Sequence, residues 1–246
     1  MINDGNFCAL PIWYQALAPY TFETKFVKLR TDAISALADS ANCGAEIDMD
    51  SAVSKQVIED LRPVMKQFPG NCFVSVDLCA PTDTERFAAK RGAVFSPESA
   101  WYYLSHSVKV AASAAAGKVE FVCIRPFRNM SRAREFRLFI HEGKLSAMSQ
   151  YNLVRHFRRL EGVRNRYWRI ADAFVQDIIW RLPEKTLVMD IYLTSSEKIL
   201  IIDINPWGKK TDPLLLKTWE RDWNEVSGIH LIPPPTAISG EVKVSF

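Results

Sequence analysis

The segment LVMDIYLTSSEKILIIDINPWG, Leu187–Gly208, constrains the fold more than any other stretch of the chain. Two almost wholly apolar runs flank a short polar stretch, the pattern of a hairpin covered on both faces. A two-residue turn at Ser196-Glu197 would set Ser195 against Lys198. Counted back along both strands, it would set Asp190 against Asp203. Side chains alternate along a strand, so Asn205 shares the face of Asp203. Three oxygen-bearing side chains then meet on one patch of an otherwise apolar hairpin.

Two opposed carboxylates repel, by roughly 0.2–1 kcal/mol on a surface and by more when buried. A hard cation relieves this: magnesium takes one or two carboxylates and completes its shell with water and phosphate oxygens. Two other readings of the residues stay open here. Both acids could face water, which does not explain three oxygen ligands on one face. They could share a proton as an acid–base pair, which leaves Asn205 without a role.

The remaining patterns are mixed. Residues 46–66 carry Val53, Val57, Leu61 and Val64 at helical spacing, with Pro63 expected to break or kink the helix. Residues 71–78 alternate like a strand, the alanine-rich stretch 111–117 reads as a helix end capped by Gly117, and residues 119–126 read as a strand. A hairpin is expected over 136–150, turning at Glu142-Gly143. An amphipathic helix over 163–182 has Val163, Tyr167, Ile170, Phe174 and Ile178 as its stripe and Pro183 at its end. The tail from Ile232 contains Pro233, Pro234 and Pro235 and should be extended, with Glu241–Phe246 strand-like. Sheets joined by hairpins and backed by helices imply an α+β fold.

Composition removes several function classes. The 246 residues suffice for one large domain or two small lobes. A net charge of +3 does not by itself point to nucleic acid. The five cysteines (Cys8, Cys43, Cys72, Cys79, Cys123) form no CxxC pair, and the four histidines show no HExxH spacing, so zinc chemistry has no ligands. No GxSxG or Walker A motif occurs. Neither a signal peptide nor a membrane span is expected, which makes the protein cytoplasmic in its host.

Between Arg125 and Arg169 stand eleven arginines and one lysine against three glutamates. Arg125 and Arg137 lie in strand patterns, with fixed directions, and are the candidates for gripping phosphate through the forked guanidinium. Arg155, Arg158, Arg159, Arg164, Arg166 and Arg169 read first as a solvated helix face. The alternative is a docking surface for an acidic partner or RNA, although no RNA-recognition signature is present.

EFRLFIHEGKLSAMSQ (Glu135–Gln150), VMDIY (Val188–Tyr192), IIDINPWG (Ile201–Gly208) and TDPLLLKTWE (Thr211–Glu220) resemble the cell division cycle protein 123 family, within the ATP-grasp superfamily. Weaker echoes lie at Ile12–Tyr14, Val76–Asp83 and Cys123–Phe127. The chain reads as a compact, divergent member. The resemblance implies an ATP-grasp fold of two lobes, with antiparallel sheets backed by helices and nucleotide between them. Residues 1–122 would form the N-terminal and smaller lobe, and 123–246 the lobe carrying the metal site. It assigns Asp190, Asp203 and Asn205 to magnesium. It places Arg125, Pro126 and Phe127 along the adenine, with the Phe127 N–H as donor, Arg137 on phosphate and Gln150 near the nucleotide. The family lysine before the SxP-like turn falls at Ser75, with Lys90 or Lys109 as substitutes, and Tyr151 and Asn152 replace an arginine and an aspartate.

The implied function is an ATP- and Mg2+-dependent assembly factor for the gamma subunit of translation initiation factor two or a similar client. The alternatives are an ATP-dependent ligase that activates a carboxylate as an acyl phosphate, and a pseudoenzyme that binds nucleotide weakly or not at all. ATP–Mg and a protein client are the expected partners, with no membrane and no nucleic acid.

Overall fold

A computed structural model describes residues 6–43 and 47–235. The strands are β1 Lys25–Lys28, β2 Cys72–Val76, β3 Phe121–Pro126, β4 Glu135–His141, β5 Lys144–Gln150, β6 Leu187–Leu193, β7 Ile199–Asn205 and β8 Gly228–His230. The helices are α1 Leu10–Leu17, α2 Thr31–Cys43, α3 Ala52–Met65, α4 Glu85–Lys90, α5 Pro97–Ser105, α6 Val108–Ala115, the single turn α7 Arg158–Glu161, and α8 Arg164–Ile178. The result is α+β, with two sheets. A small one runs β1-β3-β2, antiparallel throughout. A large one runs β7-β6-β4-β5-β8 and is antiparallel except for β8, which lies parallel to β5.

Each sheet has its own core. Leu37, Leu61, Trp101, Leu104 and Val110 from the helices meet Val74, Val122 and Ile124 of the small sheet. On the large sheet, Phe136, Leu138, Met189 and Ile191 face α8 through Tyr167, Ala171, Val175 and Ile178. Leu10, Trp13 and Leu17 of α1 join this second core. The opposite face of the large sheet carries Phe139, Val188 and Trp223, packed with Trp207 and Trp219.

Several boundaries differ from the periodicity. α3 begins at Ala52, not near residue 46, because Ser51 accepts the Ser54 N–H and caps it. Pro63 sits in its last turns without stopping it; the helix runs on to Met65. In α8 the fully buried line is Tyr167, Ala171, Val175 and Ile178, while Val163, Ile170 and Phe174 pack at its margin. The 163–182 helix also ends earlier, passing into a 3-10 turn at Ile179–Arg181. α6 ends as expected, with Gly117 at φ 67° just past it. Glu142 and Gly143 both have positive φ, a type I′ turn between β4 and β5. The segment Glu241–Phe246 lies outside the described residues.

The acid-bearing hairpin reaches its register by a route the sequence did not reveal. Its loop is three residues long: Thr194 N–H donates to Lys198 O, Glu197 N–H donates to Thr194 O, and Glu197 takes φ 62°. Strand pairing therefore starts one residue out of step, with Leu193 opposite Ile199 and Ile191 opposite Ile201. A bulge at Ile202 absorbs the difference and sets Asp190 opposite Asp203. The bulge also reverses the parity of β7. Ile199 and Ile201 face the α8 core before it and Ile204 does so after it, so Asp203 and Asn205 turn to the other face. In a regular ladder after this loop, Asp190 would meet Ile202 and Asp203 would point into the core.

Candidate functional site between the two sheets

A cleft of ≈ 1300 Å³ separates the small sheet from the large one. Phe73, Ser75, Arg125, Arg91 and Lys109 line one wall, and Glu135, Tyr151, Asp190, Tyr192 and Asp203 the other. The connection after β3, residues 127–133, closes one side.

Ser149, Arg137, Asp190 and Asp203 pair in a row across the large sheet, and of these Asp190 and Asp203 line the cleft. Arg137 grips Asp190 with both tines of its fork, Nε to Oδ1 at 2.7 Å and Nη2 to Oδ2 at 2.8 Å. Its Nη1 donates to the Asp212 carbonyl at 2.7 Å. Burial works against the Arg137 charge, but its bonds to Asp190 outweigh it and hold the guanidinium proton more tightly than usual. Asn205 Nδ2 adds a third contact to Asp190, at 3.0 Å.

Asp203 differs. Among the described residues, its side chain accepts one hydrogen bond, from the N–H of Ile204 at 2.9 Å. Burial, then the neighbouring Asp190 charge, pushes its pKa to about 7; Arg125 and Arg137 oppose this only in part. A carboxyl with that environment and no close cationic partner is suited to a hard cation, with the acids and the Asn205 amide as oxygen donors. Among the described residues no group of three or more His, Cys, Asp or Glu side chains gathers as a metal site, so a cation here would have two acids and an amide as its side-chain donors.

Arg125 connects the two sheets. From β3 its Nε donates to Thr24 Oγ1 at 3.1 Å and its Nη1 to the Ile202 carbonyl at 2.9 Å. That carbonyl belongs to the bulge residue immediately before Asp203. Nη2 is buried without a hydrogen-bond partner, and burial lowers the pKa of the guanidinium. An unpartnered donor in the cleft wall is the kind of group an anionic ligand satisfies.

The other expected nucleotide residues fare differently. Phe127 lines the cleft, but its N–H already donates to the Asn71 carbonyl at 2.9 Å, so the donor expected for a base is taken. Pro126 pairs with Cys72 and is not among the cleft-lining residues. Arg137 is committed to Asp190 rather than reaching outward as a free phosphate grip. Gln150 is fully buried away from the cleft; its Nε2 donates to the carbonyls of Asn152 and Arg155, and its Oε1 accepts from Ile232. It braces the following loop. Ser75 faces the cleft, as does Lys109, whose Nζ donates to Thr82 Oγ1 at 2.7 Å. Lys90 lies near the Phe95 ring and not on the cleft wall.

Reasoning from the sequence missed three contributors. Arg91 enters the cleft from the left-handed residue ending α4, at φ 52°. Tyr151 lies under Arg137 at 5.2 Å, and burial, then Asp190, raises its phenol to about 12. Glu135 is pushed upward by burial, against a bond from Asn152. Only the αL position of Arg91 had no periodic signal at all. The basic segment also divides: Arg155 and Arg159 line the cleft, while Arg164 donates to the Ile229 carbonyl and Arg166 pairs with Glu197.

Comparison with known proteins agrees with this architecture. A relative called cell division cycle protein 123, from Candida glabrata, is 27% identical over 188 residues, covering 73% of this chain and 51% of its own length. A translation initiation factor eIF2 assembly protein from Kluyveromyces lactis is 34% identical over 108 residues, 42% of this chain and 27% of its own. The chain thus spans about half the length, or less, of these curated relatives. The structure of Cdc123 from Schizosaccharomyces pombe superposes with a TM-score of 0.78 at 19% identity, covering 92% of this chain and 95% of that one, which shows a shared fold. The D123 family model matches residues 38–230, from α2 through both acid-bearing strands to the end of β8. By that match and that shared architecture, the chain belongs to the D123 family, to which the cell division cycle protein 123 relatives correspond.

Proposed function

We propose that the cleft binds ATP with magnesium and that the chain acts as an assembly factor for the gamma subunit of translation initiation factor two, or a similar client. One observation carries the nucleotide part: Asp203 stands opposite an arginine-paired Asp190 with no close cation of its own. Asp190, Asp203 and Asn205 would hold Mg2+, which supplies charge neutralisation for phosphate oxygens. Lys109 and Arg91 line the cleft and are the groups available to those oxygens, with the unpartnered Arg125 Nη2 buried behind the wall. This supports an ATP-grasp arrangement of two lobes, close to residues 1–122 and 123–246, with α1 packing on the second. The client part draws support from relatives named translation initiation factor eIF2 assembly protein. It implies action in the cytoplasm; among the described residues no helix is long and apolar enough to cross a membrane.

The test is co-purification of the initiation factor's gamma subunit on the immobilised chain, with Mg-ATP and with EDTA. Retention only with Mg-ATP supports the proposal, and no retention in either removes the client. A second reading, an ATP-dependent carboxylate ligase, is favoured by the cleft volume of ≈ 1300 Å³. That exceeds the ≈ 300–1000 Å³ of ordinary ligand pockets and leaves room for a second substrate. ADP release stimulated by an added carboxylate would distinguish it.

A further inference from the structure

We infer that the large-sheet rim of the cleft, formed by residues 127–134 and 151–159, is a docking groove for an acidic peptide segment interspersed with aliphatic side chains. Arg128, Arg132, Arg155 and Arg159 all line the cleft and are exposed. None forms an ion pair with a carboxylate among the described residues, whereas Arg137 and Arg166 pair with carboxylates and Arg134 and Arg164 bond to backbone carbonyls. The acids beside the rim are already engaged: Glu135 is half-buried and held by the Asn152 amide, with Arg132 beyond ion-pair distance, and Glu161 sits 2.9 Å from His156 Nε2.

The two loops are tied to each other and to the sheet. Arg159 Nη2 donates to Ser131 Oγ at 2.8 Å, and Asn152 Nδ2 donates to the Arg132 carbonyl and to Glu135. Gln150 holds the second loop from beneath through Asn152 O and Arg155 O. Unneutralised guanidinia on braced loops lose little side-chain and backbone freedom on binding carboxylates.

Apolar side chains stand between them. Leu153 is 43% and Val154 64% exposed, directly before Arg155. A ligand that pairs with the arginines alone would leave this patch wet; one with alternating acidic and aliphatic side chains covers both. Single-stranded RNA would need free aromatic faces for stacking. The ring of Phe157 is already covered by Arg155 at 5.1 Å and that of Tyr151 by Arg137 at 5.2 Å. The chemistry on display is therefore that of a protein surface. This inference rests on the reading that the chain serves a protein client, and not on what binds at Asp203.

The test is fluorescence anisotropy with a short labelled peptide alternating glutamate and leucine, on the full chain. The parent should bind it with an affinity that falls as salt rises. R155E/R159E should weaken binding at least about tenfold, whereas K144E/R169E, the same charge change at exposed sites off the cleft, should not. The milder R155Q/R159Q, with unchanged Tm, separates lost binding from lost folding and should also weaken it. Equal weakening by the K144E/R169E control, equal binding of a lysine–leucine peptide, or tighter binding of oligouridylate would each overturn the inference. Mg-ATP calorimetry on the same samples keeps the two readings apart. Peptide binding without ATP binding sinks the nucleotide site alone, and ATP binding without peptide binding sinks the groove alone.

Discussion

Asp203 and Arg137 are the residues on which the site turns, and they make opposite demands on the fold. Asp203 keeps its proton up to about pH 7 in the folded chain, against an ordinary 3.8. Between those values the native state binds more protons than the unfolded one, so stability falls as pH rises through that window and stays lost above it. Asp203→Asn carries no charge. In EDTA at pH 8 it should melt above the parent, by roughly 2–4 °C for each kcal/mol of relief, with the gap closing towards pH 4. A variant melting below the parent at pH 8 would show that Asp203 is compensated within the chain. Arg137 is the reverse case. Arg137→Met strands a buried carboxylate that now has only Asn205, and should lower stability by about 3–5 kcal/mol in urea unfolding. A loss under 1 kcal/mol would mean that Asp190 finds water. At this scale the acids were legible in the sequence because polar side chains on apolar strands stand out. The availability of donors was not: the Phe127 N–H is spent on Asn71, a contact set by the pairing of distant strands.

The hairpin of β6 and β7 shows why elements were easier to read than registers. Its apolar runs announce two strands, and the opposition of Asp190 and Asp203 is present. A two-residue turn predicts that opposition in a regular ladder; the chain reaches it with a three-residue turn and a bulge. Two departures of one residue cancel, and no local pattern distinguishes Ile202 from its apolar neighbours. Deleting Ile202 should restore a regular ladder with the acids still opposed, while removing the carbonyl that accepts Arg125. We expect circular dichroism to stay that of the parent and stability to fall by about 1–3 kcal/mol, the cost of a buried donor left unpaired. Unchanged stability would mean that Arg125 draws nothing from the bulge. The helices α2 and α5 of the small lobe escaped reading, and α6 was read only at its C-terminal end, because their apolar residues are divided between several neighbours. The I′ turn at Glu142-Gly143 was legible from its glycine. At φ 81°, and with the Ile179 side chain 3.3 Å from where a Cβ would stand, Gly143→Ala should cost about 1 kcal/mol or more by the same unfolding measurement.

At the scale of the whole molecule, the small sheet packs Cys123, Phe26 and Phe121 against the large-sheet core, and Arg125 adds a buried polar link to the Ile202 carbonyl. A ligand that both walls contact would bridge the two sheets across the cleft. The central claim is that the ligand is ATP carried by magnesium at Asp203. Isothermal titration calorimetry of Mg-ATP into the parent and into Asp203→Asn, with EDTA controls, tests it most directly. The account predicts magnesium-dependent binding to the parent, with a dissociation constant in the micromolar range, about −8 kcal/mol. It predicts binding at least about tenfold weaker in the variant. Binding that survives EDTA, or that is equal in the two proteins, would contradict it.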